Sequence, residues 1–177
     1  MYRLRELECR DLEEINKWRN DHELISYLAA PYRYVNLAVD VKWFDNYMCN
    51  RGTNVRCSIV DKDDRILGLV SLTGIDYLNQ SAEFHIMIGN EFNQNKGIGS
   101  FAVKEMLNHA FNNLNLHRVE LTVLDDNKRA QHVYEKCGFI KEGTKRKAAY
   151  KNGDFVDMHF YSILKNEFKR LTKMKRE

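Results

Sequence analysis

The chain predicts an α+β domain built on a mixed β-sheet, and three features of the sequence predict it. Apolar residues alternate at Val55, Cys57 and Ile59 and again along Ser81–Ile88, the period of half-buried strands. From Ile98 the period lengthens: Ile98, Phe101, Ala102, Met106, Ala110, Phe111 and Leu114 recur at the spacing of one helical face. Between them lies Gln94, Asn95, Lys96, Gly97, Ile98, Gly99, Ser100, a polar, glycine-spaced turn that feeds the helix. With the next strand over residues 117–124, these pieces form a right-handed crossover, so the two strands should run parallel in a sheet whose hairpins are antiparallel.

The remaining elements follow in order. Residues 2–7 read as a short strand, and Asp11 is placed to cap a helix carrying Leu12, Ile15 and Trp18. Beyond a turn at Pro31, residues 39–48 read as a second helix. The extended runs 55–59 and 66–72, joined by the polar stretch 61–64, read as a hairpin. Within Ser81–Ile88, Phe84, Ile86 and Ile88 point one way and Glu83, His85 and Met87 the other, giving a buried face and a functional face. The crossover helix is expected to run for about five turns. Residues 127–137 read as a short helix with Ala130, Val133, Tyr134 and Cys137 on one face, and Phe139 opens two terminal strands. The charged residues 165–177 read as a solvated, frayed tail.

Composition narrows the function. With 177 residues, 44% apolar and 30% charged, the chain suits one globular domain. Lys plus Arg is 28 against 25 Asp plus Glu, a net charge of +3, too small to argue for nucleic acid. Cys9, Cys49, Cys57 and Cys137 are scattered without a C-x-x-C pair, so neither a metal site nor a disulfide framework is expected, and a reduced cytoplasm suits them. No apolar run approaches the roughly 18 residues of a membrane span. Homo-oligomerisation is compatible with all of this.

The glycine turn is built for an anion. Gly97 and Gly99 lack a Cβ, so several backbone N–H groups can converge, and the unpaired amides of the helix's first turn add partial positive charge. A phosphate or pyrophosphate is the natural guest. Gly97-x-Gly99-x-x-Ala102 also satisfies a dinucleotide fingerprint, with Glu120 as the ribose acid, which would make the chain an NAD(P)-dependent oxidoreductase. Against that reading, residues 89–96 separate the strand from the first glycine, and Glu120 sits inside its strand.

Read together, Gln94-x-x-Gly97-x-Gly99 and Asn127-x-x-Ala130-x-x-x-Tyr134-x-x-x-Gly138-Phe139 resemble the paired cofactor motifs of the GNAT superfamily of acetyl-CoA-dependent N-acetyltransferases. The order of strands and helices over residues 1–165 is similar to that family too. The resemblance implies an α/β/α sandwich: a mixed, twisted sheet of about seven strands whose central parallel pair splays apart, flanked by about four helices. It implies one catalytic domain over residues 1–168 with a charged tail over 169–177. The implied reaction is direct attack of a primary amine on acetyl-CoA in a ternary complex.

The same resemblance assigns roles. The amides of Gln94, Asn95, Lys96, Gly97, Ile98, Gly99 and Ser100 would take the pyrophosphate. The strand edge Ile86, Met87, Ile88, Gly89 would pair with the pantetheine arm, which Asn127 would meet from the facing side beside Ala130 and Tyr134. The N–H of Met87 would donate to the thioester oxygen. Tyr134 is a core residue by periodicity and the proton donor by its place in the motif; a phenol near pKa 10 stays protonated at pH 7 yet can protonate a thiolate. Glu83 is the candidate base, with His85 beside it on the same face. A CoA-binding but non-catalytic sensor or scaffold is the alternative class.

The acceptor stays open among a polyamine, a protein N-terminus and an amino sugar. Polyamine-acting members carry an acidic pair ahead of Pro-Tyr, whereas here Ala29 and Ala30 precede Pro31-Tyr32, followed by Arg33; Asp40 and Asp45 remain nearby. Trp18-Arg19-Asn20 resembles a segment of the amino-sugar and ribosomal groups, and Tyr27, Tyr32, Tyr34 and Trp43 form a candidate cleft lining.

Overall fold

The computed structural model describes residues 1–89 and 96–174. In chain order the elements are β1 (Arg3–Glu6), a 3₁₀ turn (Cys9–Asp11), α1 (Leu12–Arg19), α2 (His22–Ser26), α3 (Leu37–Cys49), β2 (Val55–Val60), β3 (Ile66–Asp76), β4 (Ser81–Ile88), α4 (Ile98–Asn108), β5 (Arg118–Leu124), α5 (Lys128–Lys136), β6 (Ile140–Lys151), β7 (Asp154–Leu164) and α6 (Lys165–Met174). The strands form one sheet in the order β1-β2-β3-β4-β5-β7-β6. The parallel pair expected from the crossover is β4 with β5, and the neighbouring strands pair antiparallel.

Strand alternation divides the core into two layers. On one face Val70, Phe84 and Leu121 pack with Met106 of α4, Phe111 just beyond it, Tyr134 of α5 and its C-cap Cys137, and Phe168 of α6. On the other, Leu69 and Met87 pack with Ile15 and Trp18 of α1 and with Trp43 and Tyr47 of α3. This is the expected α/β/α sandwich, with six α-helices among the described residues rather than about four; α2 is one addition.

The second addition corrects the expected frayed tail. Residues Lys165–Met174 form α6, started by the Leu164 N–H donating to the Glu167 carboxylate at 2.8 Å. Phe168 is buried against Phe111, ring centroids 5.3 Å apart, and Leu171 packs on the same core. Charged residues cover the outer face of this helix, which is why composition alone reads as a tail. The crossover helix also differs: its α-helical part ends at Asn108, and a π-turn over His109–Asn113 completes it.

Asp11 acts otherwise than as a cap of α1, where it makes no side-chain capping bond. Its buried carboxylate accepts from the Glu8 N–H, the Ser58 hydroxyl and the Arg5 guanidinium, tying the start of α1 to β1 and β2. Burial opposes its charge, yet these donors win and hold the carboxyl below its ordinary range. A carboxyl depressed in the folded state stabilises fully above its unfolded value and loses that contribution as pH falls.

At the end of α5, Gly138 adopts φ +99°, a conformation that a side chain strains. The Phe139 N–H donates to the Tyr134 carbonyl at 3.0 Å and the Gly138 N–H to the Glu135 carbonyl at 2.9 Å, a Schellman closure. A Cβ at position 138 would also lie 2.1 Å from Leu171 Cδ1.

Gly138→Ala is therefore expected to cost about 2 kcal/mol, read as a lower urea midpoint at unchanged slope. Asp11→Asn should cost about 3 kcal/mol at neutral pH and flatten the loss of stability below roughly pH 4, measured by urea melts at several pH values.

Candidate active site

The site begins where the parallel pair stops pairing. β4 and β5 match only at Ser81 with Arg118, Ala82 with Val119 and Glu83 with Glu120. Beyond Glu83, β4 stays on β3 as far as Ile88 opposite Gly68, while β5 stays on β7 as far as Leu124 opposite Met158. The two strands therefore splay, as expected, and leave a wedge open between them.

Hydrogen-bond direction along β4 identifies the groups that face the wedge. The Gln80 carbonyl accepts from the Arg118 N–H, so even-numbered backbone groups face β5. The Gly89 N–H donates to the Leu67 carbonyl at 2.9 Å, so odd-numbered groups face β3. In this register the N–H of Met87 is spent on Leu69. The N–H of Met87, expected as the thioester-oxygen donor, therefore faces β3: Ile86 and Ile88 present N–H and C=O to the wedge, whereas Met87 and Gly89 do not. Met87 still lines the larger cavity.

Two cavities meet in the wedge. One, of about 310 Å³, is lined by Ile86 and Ile88, by Gly97, Ile98, Gly99 and Ser100 at the start of α4, and by Ala130, Val133 and Lys136 of α5. Gly97 stands at φ +77° as the N-cap of α4, so this helix presents its first amides to the cavity. Lys96 precedes it, exposed, and the expected ligands Gln94 and Asn95 lie outside the described residues. Arg129, His132 and Lys136, which the sequence reading did not single out, line this cavity and give it a basic wall; their spacing on one face of α5 is the signal that could have found them. An extended, amide-bearing chain ending in phosphates fits it: a free strand edge at one end, helix amides and cations at the other.

The other cavity, about 560 Å³, is lined by Arg19, Trp43, Arg56, Ser71, Glu83, His85 and Met87, among others. Tyr27, Leu28, Ile86, Asn127 and Tyr134 line both spaces. The Tyr134 ring is 7% exposed and stands edge-on to Phe84 and Phe139, with centroids at 6.3 and 5.8 Å. Its hydroxyl is not among the sealed, unpartnered polar atoms, which in the described residues are Trp18 Nε1 and Arg56 Nε. Burial pushes the phenol's proton affinity up, and neighbouring Cys137 adds to it.

Asn127, expected to face the pantetheine arm, lines both cavities and also has structural bonds. Its Oδ1 accepts from the Ala130 N–H at 3.1 Å as the N-cap of α5, and its Nδ2 donates to the Tyr27 carbonyl at 2.9 Å. It holds α2 and α5 together where the cavities join.

Glu83 and His85 share one wall, His85 Nε2 lying 3.7 Å from Glu83 Oε2 and 2.9 Å from Thr73 Oγ1. Burial lowers the proton affinity of His85; Glu83 raises it and the charge of Arg56 lowers it again. A neutral imidazole beside a carboxylate suits proton removal. Of the candidate aromatic lining, Tyr27 and Trp43 reach the cavity; the Tyr32 hydroxyl instead donates to the Asn20 carbonyl, and Tyr34 is 91% exposed. Asp40 is fully buried and taken up by Arg19 and by Asn16 Nδ2, the latter at 2.7 Å. Glu120 is bound to Arg118 at 2.9 Å within its strand, and β4 runs antiparallel to β3, so the dinucleotide-fold reading fails. Among the described residues no cluster of metal-ligating side chains occurs, and no helix is long and apolar enough to cross a membrane.

Comparison with known proteins agrees with this geometry. The chain is 32% identical over 166 residues to a spermidine N(1)-acetyltransferase of Vibrio cholerae, covering 93% of this chain and 94% of that one. It is 30% identical over 165 residues to the L-amino acid N-acetyltransferase AaaT of Escherichia coli, covering 92% and 97%. A crystal structure of spermidine N-acetyltransferase from Vibrio cholerae in complex with CoA and spermine superposes with a TM-score of 0.89 at 30% identity, covering 95% of this chain and 98% of that one. A family model for the acetyltransferase (GNAT) domain matches residues 2–140, and the chain belongs to that family of acetyl-CoA-dependent enzymes.

Proposed function

We propose that this enzyme acetylates the primary amine of a small acceptor by direct attack within a ternary complex, the acceptor occupying the larger cavity. The observation that carries the reading is the meeting of the two cavities at Tyr134, beside the unpaired edge of Ile86 and Ile88. Bound acetyl-CoA supplies an activated acetyl thioester at this junction. Ile86 and Ile88 hold the amide-bearing arm as an added strand, and the backbone N–H of Ile86 is the donor placed to meet charge developing on the carbonyl oxygen. Such a donor is commonly worth about 3 kcal/mol. The first turn of α4 and the basic wall of α5 hold the phosphates.

The Glu83–His85 pair takes the proton from the attacking amine, directly or through a water. Tyr134 gives its proton to the departing sulfur. The raised proton affinity of this phenol keeps the proton in place until a strongly basic thiolate forms beside it. The four cysteines are free, in keeping with a cytoplasmic enzyme. The relatives put polyamines and amino acids beside amino sugars and protein N-termini as acceptor classes.

An amine panel followed by release of free thiol tests the activity, which a non-catalytic CoA binder would not show. On any acceptor that turns over, Tyr134→Phe should lower kcat about 100-fold with little change in the KM for acetyl-CoA. Because burial raises the phenol's pKa, wild-type kcat should hold through about pH 10, where an ordinary tyrosine ionises. Unchanged turnover in Tyr134→Phe would remove the proton-donor role.

A further inference from the structure

The larger cavity contains an unsatisfied cation. Arg56 enters it from β2, and among the described residues its guanidinium makes no hydrogen bond or ion pair; its Nε is sealed from solvent without a partner. The guanidinium is held by stacking, 4.8 Å above the Trp43 ring and 5.9 Å from that of Tyr47. The second arginine of the cavity, Arg19, is already neutralised by buried Asp40. Glu83 lines the same cavity beside His85, two strands away from Arg56.

Strand register aligns the polar groups of the cavity. Arg56 of β2 lies opposite Ser71 of β3, which lies opposite His85 of β4. The three side chains therefore occupy one row across one face of the sheet, with adjacent strands about 4.8 Å apart. The row leads from the Glu83–His85 pair, past the Ser71 hydroxyl, to the bare guanidinium. Burying donors without acceptors costs free energy that a ligand anion would recover, and a planar guanidinium suits two-point binding of carboxylate or phosphate. A polycation meets the opposite at the β2 end of this row: a positive charge whose Nε is sealed, with Ser71 rather than an acid opposite it.

We infer that Arg56 is a specificity-determining residue that binds an anionic group on the acceptor, so the substrate is a primary amine that also bears a carboxylate or a phosphate. The inference rests on the proposed activity and narrows it. Carboxylate and phosphate share this chemistry, and the assay separates them.

The test compares γ-aminobutyrate and glucosamine 6-phosphate with glucosamine and spermidine in thiol release by the full-length enzyme. Calorimetric titration of each amine into the CoA-loaded protein accompanies it. At least one anion-bearing amine should exceed glucosamine and spermidine in kcat/KM by 10-fold or more, and which one does so identifies the anion. Arg56→Met should raise the KM for that amine at least 10-fold, leave kcat within about 3-fold and leave acetyl-CoA binding unchanged, while Arg56→Lys should recover part of the loss. Should Arg56→Met fold poorly, Ser71→Glu places a carboxylate opposite the guanidinium and is expected to weaken the anionic acceptor and favour spermidine. Best turnover on spermidine with unaltered KM values in Arg56→Met would overturn the inference and leave the acetyltransferase reading standing. Failure of both anion-bearing amines to bind the CoA-loaded protein at 10 mM would also overturn it. Absence of thiol release with every amine, despite tight acetyl-CoA binding, would instead count against the proposed activity.

Discussion

The working parts of this enzyme depend on one interruption of backbone pairing. A sheet that kept β4 and β5 in register past Glu83 would satisfy every amide and leave no opening. By parting there, the two strands leave Ile86 and Ile88 with polar backbone groups aimed into a wedge. Those groups are costly to bury unmatched and are ready to bind any extended chain that carries amides. The wedge is held open from both sides: β4 is anchored by its antiparallel ladder to β3, and β5 by its ladder to β7.

The same construction places the phenol proposed as the acid. Tyr134 lies in the last turn of α5, whose start is capped by Asn127 and whose end is closed by the reversal at Gly138 and Phe139. Phe84 of β4 and Phe139 brace its ring. The phenol held in this way has little freedom, and its burial accounts for the raised proton affinity.

Much of this was legible in the sequence because it rests on period and on glycine. Alternation along β4, helical spacing from Ile98 and the two glycines of the turn gave the crossover, the parallel pair and the helix N-terminus. Motif spacing singled out Tyr134 and Glu83 as candidates, and both line the cavity. Side-chain periodicity reports which face a residue occupies but not which edge its N–H points to. The family motif pointed to the N–H of Met87, but the bonds at Gln80 and Gly89 turn that N–H toward β3 and the N–H groups of Ile86 and Ile88 toward the wedge. Arg56 was unreadable for a related reason: its isolation depends on Trp43 from α3 and on a register that puts Ser71, not an acid, opposite it. The helical tail escaped notice because charged residues cover one face while Phe168 and Leu171 serve the core from the other.

Residue-resolved amide hydrogen exchange along β4, with and without CoA, tests the central claim most directly. The account predicts that the Ile86 and Ile88 amides exchange readily in the free enzyme and become protected when CoA binds, while the Met87 amide is protected in both states. Protection gained at Met87 with no change at Ile86 and Ile88 would contradict it.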